Sequence, residues 1–171
     1  GWPPNHRVEP ALRDARLCYD HLAGRLGVSL VDVMLRREYV VLMDGGGELT
    51  GAGERFLTGL GADLEQARGA KRRYCRSCID WTERRHHLSG AVGAALAQAF
   101  LERRWVLRIQ DSRALTVTAS GRKMLTGLGV AERLAASHNT EGIARALSVT
   151  PKTAENYIGH VYDKLSLTEM R

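Results

Sequence analysis

Aromatic side chains are scarce in this sequence, at 6% of 171 residues, whereas Ala, Leu, Gly and Arg are plentiful. That balance favours helices with short connections over a large sheet. Long apolar runs are also missing: none approaches the roughly 18 residues needed to span a membrane. The opening Gly1-Trp2-Pro3-Pro4 reads as neither a signal nor a transit peptide. The expectation is a cytoplasmic protein without a membrane segment. Cysteine is limited to Cys18, Cys75 and Cys78, and an odd count argues against a disulfide framework. A nucleophile elbow, a P-loop, a strand-linked GxGxxG and an HExxH are all absent, so no enzyme is expected. Apolar residues reach 44%, enough to pack a core rather than remain disordered.

The net charge is +6, and its distribution is uneven. Residues 1–130 hold 20 Lys/Arg and 14 Asp/Glu, whereas residues 131–171 hold 5 of each. The densest basic stretch runs from Arg68 to Arg76. A basic excess favours polyanions, because neutralised phosphates release counterions. A solvated Arg-rich surface accounts for the same charge.

An internal repeat organises the first 130 residues. HLAGRLGVSLVDVML at His21–Leu35 returns as HLSGAVGAALAQAFL at His87–Leu101, an offset of 66. LTGAGERFLTGLG at Leu49–Gly61 returns as VTASGRKMLTGLG at Val117–Gly129, an offset of 68. A two-residue insertion around Asp111–Ala114 reconciles the offsets, at a hairpin tip that tolerates it.

Leu12, Leu17, Leu22, Leu26 and Leu30 lie near helical spacing, which predicts a helix over Ala11–Arg37. Gly24 and Gly27 mark a bend or a close helix crossing within it. Tyr39–Met43 reads as a strand, Asp44–Gly47 as a tight turn and Leu49-Thr50 as the return strand. Thr50 caps a helix over Ala52–Leu60 that stops at Gly61. The second unit repeats this order, with strands at Trp105–Ile109 and Leu115–Thr118. The expected fold is therefore mainly α with small β hairpins: winged-helix-like units at 1–66 and 67–129, then a helix-turn-helix at 130–171. A duplicated unit without a DNA role remains the competing reading of the first two.

After Gly129 the pattern changes. Thr140–Leu147 reads as a short helix, Ser148-Val149 as a turn, and Thr150-Pro151-Lys152-Thr153 as the start of a second helix. Thr150 suits the N-cap, and Pro151 the first helical position. Ala154, Tyr157 or Ile158, Val161 and Leu165 face inward at helical spacing, leaving Lys152, Thr153, Glu155, Asn156, Gly159 and His160 outward. The second helix of such a pair enters the major groove. Lys152 and Thr153 suit phosphate contact, Asn156 pairs with adenine, and Glu155 accepts from cytosine N4.

Two resemblances follow from these residues. Glu9–Val28 (EPALRDARLCYDHLAGRLGV) and Cys75–Leu88 (CRSCIDWTERRHHL) resemble the C-terminal half of long ArsR-type regulators, over about residues 9–129. In that family a winged helix-turn-helix that binds DNA precedes this region. The resemblance implies a regulatory or dimerising module here. TEGIARALSVTPKTAENYIGHVYDKL at Thr140–Leu165 resembles the LuxR-type helix-turn-helix, with Gly142, Ala154 and Tyr157 departing from its usual residues. That resemblance implies DNA contact by Lys152, Thr153, Glu155, Asn156 and His160.

The remaining chemistry lies in cysteine and histidine. Cys18 and His21, three apart, would share one helix face. Cys75 and Cys78 form a C-x-x-C pair, and His87 is the repeat counterpart of His21. If the repeats pack about a pseudo-twofold, Cys18, His21, Cys75, Cys78 and His87 converge. Such a set suits tetrahedral Zn²⁺, the one cofactor the sequence suggests. A thiol switch favoured by Arg72, Arg73 and Arg76, or simple packing, explains the same residues. The leading expectation is a homodimeric regulator of transcription that binds double-stranded DNA. The alternative is a ligand- or metal-sensing, or protein-interaction, module with a degenerate helix-turn-helix.

Overall fold

A β-hairpin occupies the centre of the stretch where leucine spacing predicts one helix. The structure is a computed structural model that describes residues 9–130. In it a short helix α1 (Pro10–Asp14) leads into strands β1 (Arg16–Cys18) and β2 (His21–Ala23), and only then into α2 (Gly24–Arg36). The hairpin register pairs Arg16 with Ala23, Leu17 with Leu22 and Cys18 with His21. Leu17 and Leu22 are both buried, so this cross-strand pair seats the hairpin on the core. Tyr19 in the turn adopts φ 57°, a left-handed conformation that costs a non-glycine residue roughly 1–2 kcal/mol.

The rest of the first repeat is β3 (Val40–Met43), β4 (Gly46–Leu49) and α3 (Gly51–Gly59). Gly45, at φ +65°, closes the β3–β4 turn. The Thr50 hydroxyl accepts the Gly53 N–H at 3.1 Å and caps α3. Helix α4 (Leu64–Gly69) then joins the repeats. The boundary expected between residues 66 and 67 falls inside it. The second repeat runs β5 (Arg76–Ile79), β6 (His86–Ser89), α5 (Gly90–Glu102), β7 (Val106–Arg108), β8 (Leu115–Val117) and α6 (Ala119–Gly127). Thr118 caps α6 as Thr50 caps α3, accepting the Gly121 N–H at 3.0 Å.

Each repeat is thus hairpin, helix, hairpin, helix, and the four hairpins form four separate two-stranded sheets. Among the described residues helix accounts for 45% and strand for 24%. The mainly-α expectation, with its tandem winged-helix-like units, is overturned: this is a mixed α/β module. The added strand content sits in the hairpins that precede α2 and α5, where strands of three or four residues are too short to show an alternating pattern.

The repeats exchange contacts at their first hairpins. Helix α5 packs on β2, α2 packs on β6, and β2 lies against β6. Leu22, Leu26, Met34 and Leu57 of one repeat, with Leu88, Val92, Phe100 and Leu125 of the other, are buried. Burying each such side chain contributes about 1.5–3 kcal/mol before the entropy of ordering is subtracted. Two glycines set the approach. A Cβ at Gly27 would stand 2.4 Å from the Leu22 carbonyl oxygen, and one at Gly93 would stand 2.6 Å from that of Leu88. Gly27 and Gly93 therefore let each helix close on its own hairpin, whereas Gly24, where a Cβ would meet the Arg13 carbonyl oxygen at 2.6 Å, lets α2 start against α1. The Leu115 N–H donates to the Ala15 carbonyl at 2.8 Å and the Leu17 N–H to that of Arg113 at 2.9 Å, tying the last hairpin to β1.

No helix among the described residues is long and apolar enough to cross a membrane. The helix-turn-helix expected at 140–165, with Lys152, Thr153, Glu155, Asn156 and His160, lies outside the described residues.

Candidate metal centre

Cross-strand pairing places one cysteine and one histidine side by side in each first hairpin. Cys18 faces His21 across β1–β2, and Cys78 faces His87 across β5–β6. Opposed residues of an antiparallel pair project from the same face. Because β2 lies against β6, the two faces meet. The Sγ atoms of Cys18 and Cys78 and a ring nitrogen from each of His21 and His87 all lie within 4.8 Å of one another. The Nε2 atoms of His21 and His87 are 3.1 Å apart. Metal–ligand bonds of about 2.0–2.3 Å separate tetrahedral neighbours by roughly 3.3–3.8 Å, so this set needs only small adjustments to enclose a zinc-sized ion.

Cys18 and His21 reach the site from opposite strands of a hairpin, not from one helix face. Cys75 does not join them. It precedes β5 and is buried, and a Cβ added at Gly47 of β4 would meet its Sγ at 3.0 Å. The C-x-x-C motif is thereby divided: Cys78 faces the centre, and Cys75 packs against the β3–β4 hairpin. Arg72 turns to Asp20 at 2.6 Å, and Arg76 donates from Nε to the Gly45 carbonyl at 3.2 Å.

The histidines are held so that Nε2 points inward. His21 Nδ1 lies 3.4 Å from Asp20 Oδ1, and His87 Nδ1 lies 3.6 Å from Asp80 Oδ2. The Asp20 carboxylate behind His21 orients that ring and raises its basicity as a ligand, whereas Asp80 stands beyond hydrogen-bond reach of His87 Nδ1, which is buried without a hydrogen-bond partner. Both rings are buried. Burial pushes the His87 imidazole down to about 4, with the neighbouring His21 acting in the same direction and Asp80 opposing. Burial also lowers His21, against the pull of Asp20. Both are therefore neutral near pH 7, the form that ligates metals. Burial and the neighbouring Cys18 raise the Cys78 thiol, so a cation binding there would displace its proton to solvent.

Asp20, Asp80 and Arg16 support the centre without any expectation from the sequence. Asp80 is wholly buried, and burial alone would raise its carboxyl. The Thr82 hydroxyl, the Glu83 and Gly24 N–H groups and the Arg16 guanidinium together hold it well below the usual carboxylate range. Arg16 Nη2 donates to Asp80 Oδ2 at 2.7 Å, and the Gly24 N–H donates to the same oxygen at 2.7 Å. One carboxylate thus links β1 and the start of α2 to the loop after β5. The available signal was Asp80-Trp-Thr82-Glu83, a pattern in which aspartate bonds the backbone two and three residues on.

No protein-family model matches the chain, and no solved structure matches it. The chain is 40% identical over 111 residues to an uncharacterized HTH-type transcriptional regulator, YdfF, of Bacillus subtilis (strain 168). The match covers 65% of this chain and 49% of that protein. The chain therefore spans about half the length of the curated relative it matches, and over that span it is similar to a transcriptional regulator of the helix-turn-helix type.

Proposed function

We propose that this chain is a metal-responsive transcription regulator. Residues 9–130 form the sensory module, and Cys18, His21, Cys78 and His87 hold a tetrahedral zinc-class ion between the two repeats. The observation that carries this reading is the convergence of those four ligand atoms within 4.8 Å. Thiolate and imidazole together favour Zn²⁺ over Mg²⁺ or Ca²⁺. Likeness to an HTH-type regulator supports DNA as the output. The helix-turn-helix at 140–165 then reads the major groove through Lys152, Thr153, Glu155, Asn156 and His160, as a cytoplasmic homodimer on two half-sites.

Cobalt(II) titration of the reduced protein tests the metal. One equivalent should give the intense visible bands of tetrahedral coordination and a thiolate charge-transfer band. Zinc should displace it. Cys78→Ser and His87→Ala should each abolish the spectrum, and Cys75→Ser should leave it. Absence of stoichiometric binding overturns the assignment. Selection from random-sequence DNA, beside a Lys152→Ala/Asn156→Ala variant, tests the output. A consensus that the variant loses supports it. No enrichment by either protein favours a protein-interaction module instead.

A further inference from the structure

Resting on that metal reading, we propose that Cys18 and Cys78 are also a redox pair, which hydrogen peroxide converts to a disulfide with expulsion of the ion. The sulfurs lie within 4.8 Å of each other, one on each repeat. They occupy the outer side of the cluster: both cysteines are half-buried, whereas His21 and His87 are buried at 6% and 1% exposure. An oxidant entering from solvent therefore meets sulfur before nitrogen. The neighbouring thiol in sequence is excluded by its placement. Cys75 is buried against Gly47, away from the ligand set, so the adjacent C-x-x-C cysteines are not the pair.

The chemistry balances with peroxide as the only added reactant. One thiolate attacks an oxygen of hydrogen peroxide, forming a sulfenic acid and releasing hydroxide. The second thiolate attacks the sulfenic sulfur, forms the S–S bond and releases a second hydroxide. Two protons from solvent turn both hydroxides into water. The two sulfurs lose two electrons, and peroxide gains them. The ion keeps only the two imidazoles, and a site reduced from four ligands to two releases it. A dithiol reductant reverses the change.

Peptide mapping of the full chain reads this directly, because trypsin separates the three cysteines. Cys18 falls in Leu17–Arg25, Cys75 in Tyr74–Arg76 and Cys78 in Ser77–Arg84. The zinc-loaded protein is treated with hydrogen peroxide, free thiols are alkylated, and released zinc is measured with a chromogenic chelator. The expected result is a Leu17–Arg25/Ser77–Arg84 disulfide, alkylated Cys75, and one zinc released per disulfide. Cys75→Ser should behave identically. Reduction with dithiothreitol should restore zinc uptake. A Cys75–Cys78 disulfide, an intermolecular disulfide, or irreversible sulfinic acid in place of the pair overturns the proposal. So does zinc retained after the disulfide has formed. A protein that binds no zinc overturns the metal reading instead. The same map on the metal-free protein then decides whether the two thiols pair.

Discussion

The guanidinium of Arg16 and the carboxylate of Asp80 meet at 2.7 Å with both side chains sealed from solvent, at 1% and 0% exposure. Removing one partner of such a pair strands the other charge in a poorly solvated site. Asp80→Ala should therefore destabilise the protein by about 3–5 kcal/mol. Urea denaturation followed by circular dichroism measures this. A loss below 1 kcal/mol would mean that Arg16 regains solvent by a local rearrangement.

Gly93 governs both packing and the centre. A Cβ there would meet the Leu88 carbonyl oxygen at 2.6 Å and the His21 Cβ at 3.2 Å. Gly93→Ala should cost about 1–3 kcal/mol through overpacking and weaken zinc binding by moving His21. Gly59→Ala is the contrast: a Cβ there meets nothing within 4 Å, and the change should be neutral or stabilise by up to about 1 kcal/mol. Paired chemical melts and zinc titrations distinguish the two sites.

Chelation should lower thermal stability. A ligand that binds only the folded state at 100 times its Kd adds about 2.7 kcal/mol. For a domain of this size that corresponds to a Tm shift of roughly 10 °C. Differential scanning fluorimetry with zinc and with excess EDTA checks it. Coincident melting curves would contradict an ion that bridges the repeats.

Asp20 should tune the site without holding the fold. Its carboxylate touches His21 Nδ1 and is half exposed, beside Arg72. Asp20→Ala should weaken zinc by about 10-fold, the low end for a group behind a metal-bound imidazole, with little change in urea midpoint. Competition against a chromogenic chelator gives the affinity.

Cys75 should be the slowest thiol to alkylate. Burial, aided by Glu48, pushes it up to about 11, so the reactive thiolate is rare at pH 8 and grows as pH rises toward that value. Iodoacetamide labelling, read on the Tyr74–Arg76 peptide, should lag behind Cys18 and Cys78 in the metal-free protein. Equal rates would place Cys75 in contact with solvent.

The duplication was legible in the sequence because glycines and leucines recur at fixed offsets, and the packing explains why. Gly24 and Gly90 both open helices at positive φ, 74° and 78°, where a Cβ would strike a carbonyl oxygen. β3 and the β7–β8 hairpin were legible through apolar runs bounded by turn residues, whereas β4 begins at Gly46, inside the glycine run read as turn, because Gly46 and Gly47 pair with Met43 and Leu42. The first hairpin was not. Leu17 and Leu22 are cross-strand partners, yet their spacing of five fits a helical leucine pattern. The turn between them is marked by Tyr19-Asp20, not glycine or asparagine. Four of the five cysteine and histidine residues that the composition and the repeat singled out lie close together. The exclusion of Cys75 depends on where the strand begins: Cys75 precedes β5, whereas Cys78 pairs with His87 within it, and a C-x-x-C spacing does not show that start. Asp80 and Arg16 were hidden because neither belongs to a metal-ligand pattern.

Each repeat carries half of the proposed ligand set, one cysteine and one histidine. Had the halves belonged to separate polypeptides, occupancy would rise with protein abundance as well as with the ion. On one chain the second half is always present at the effective concentration that the connecting fold imposes. The proposed centre would then fill according to the free metal level alone, and its set point would not drift as the cell makes more or less of the protein.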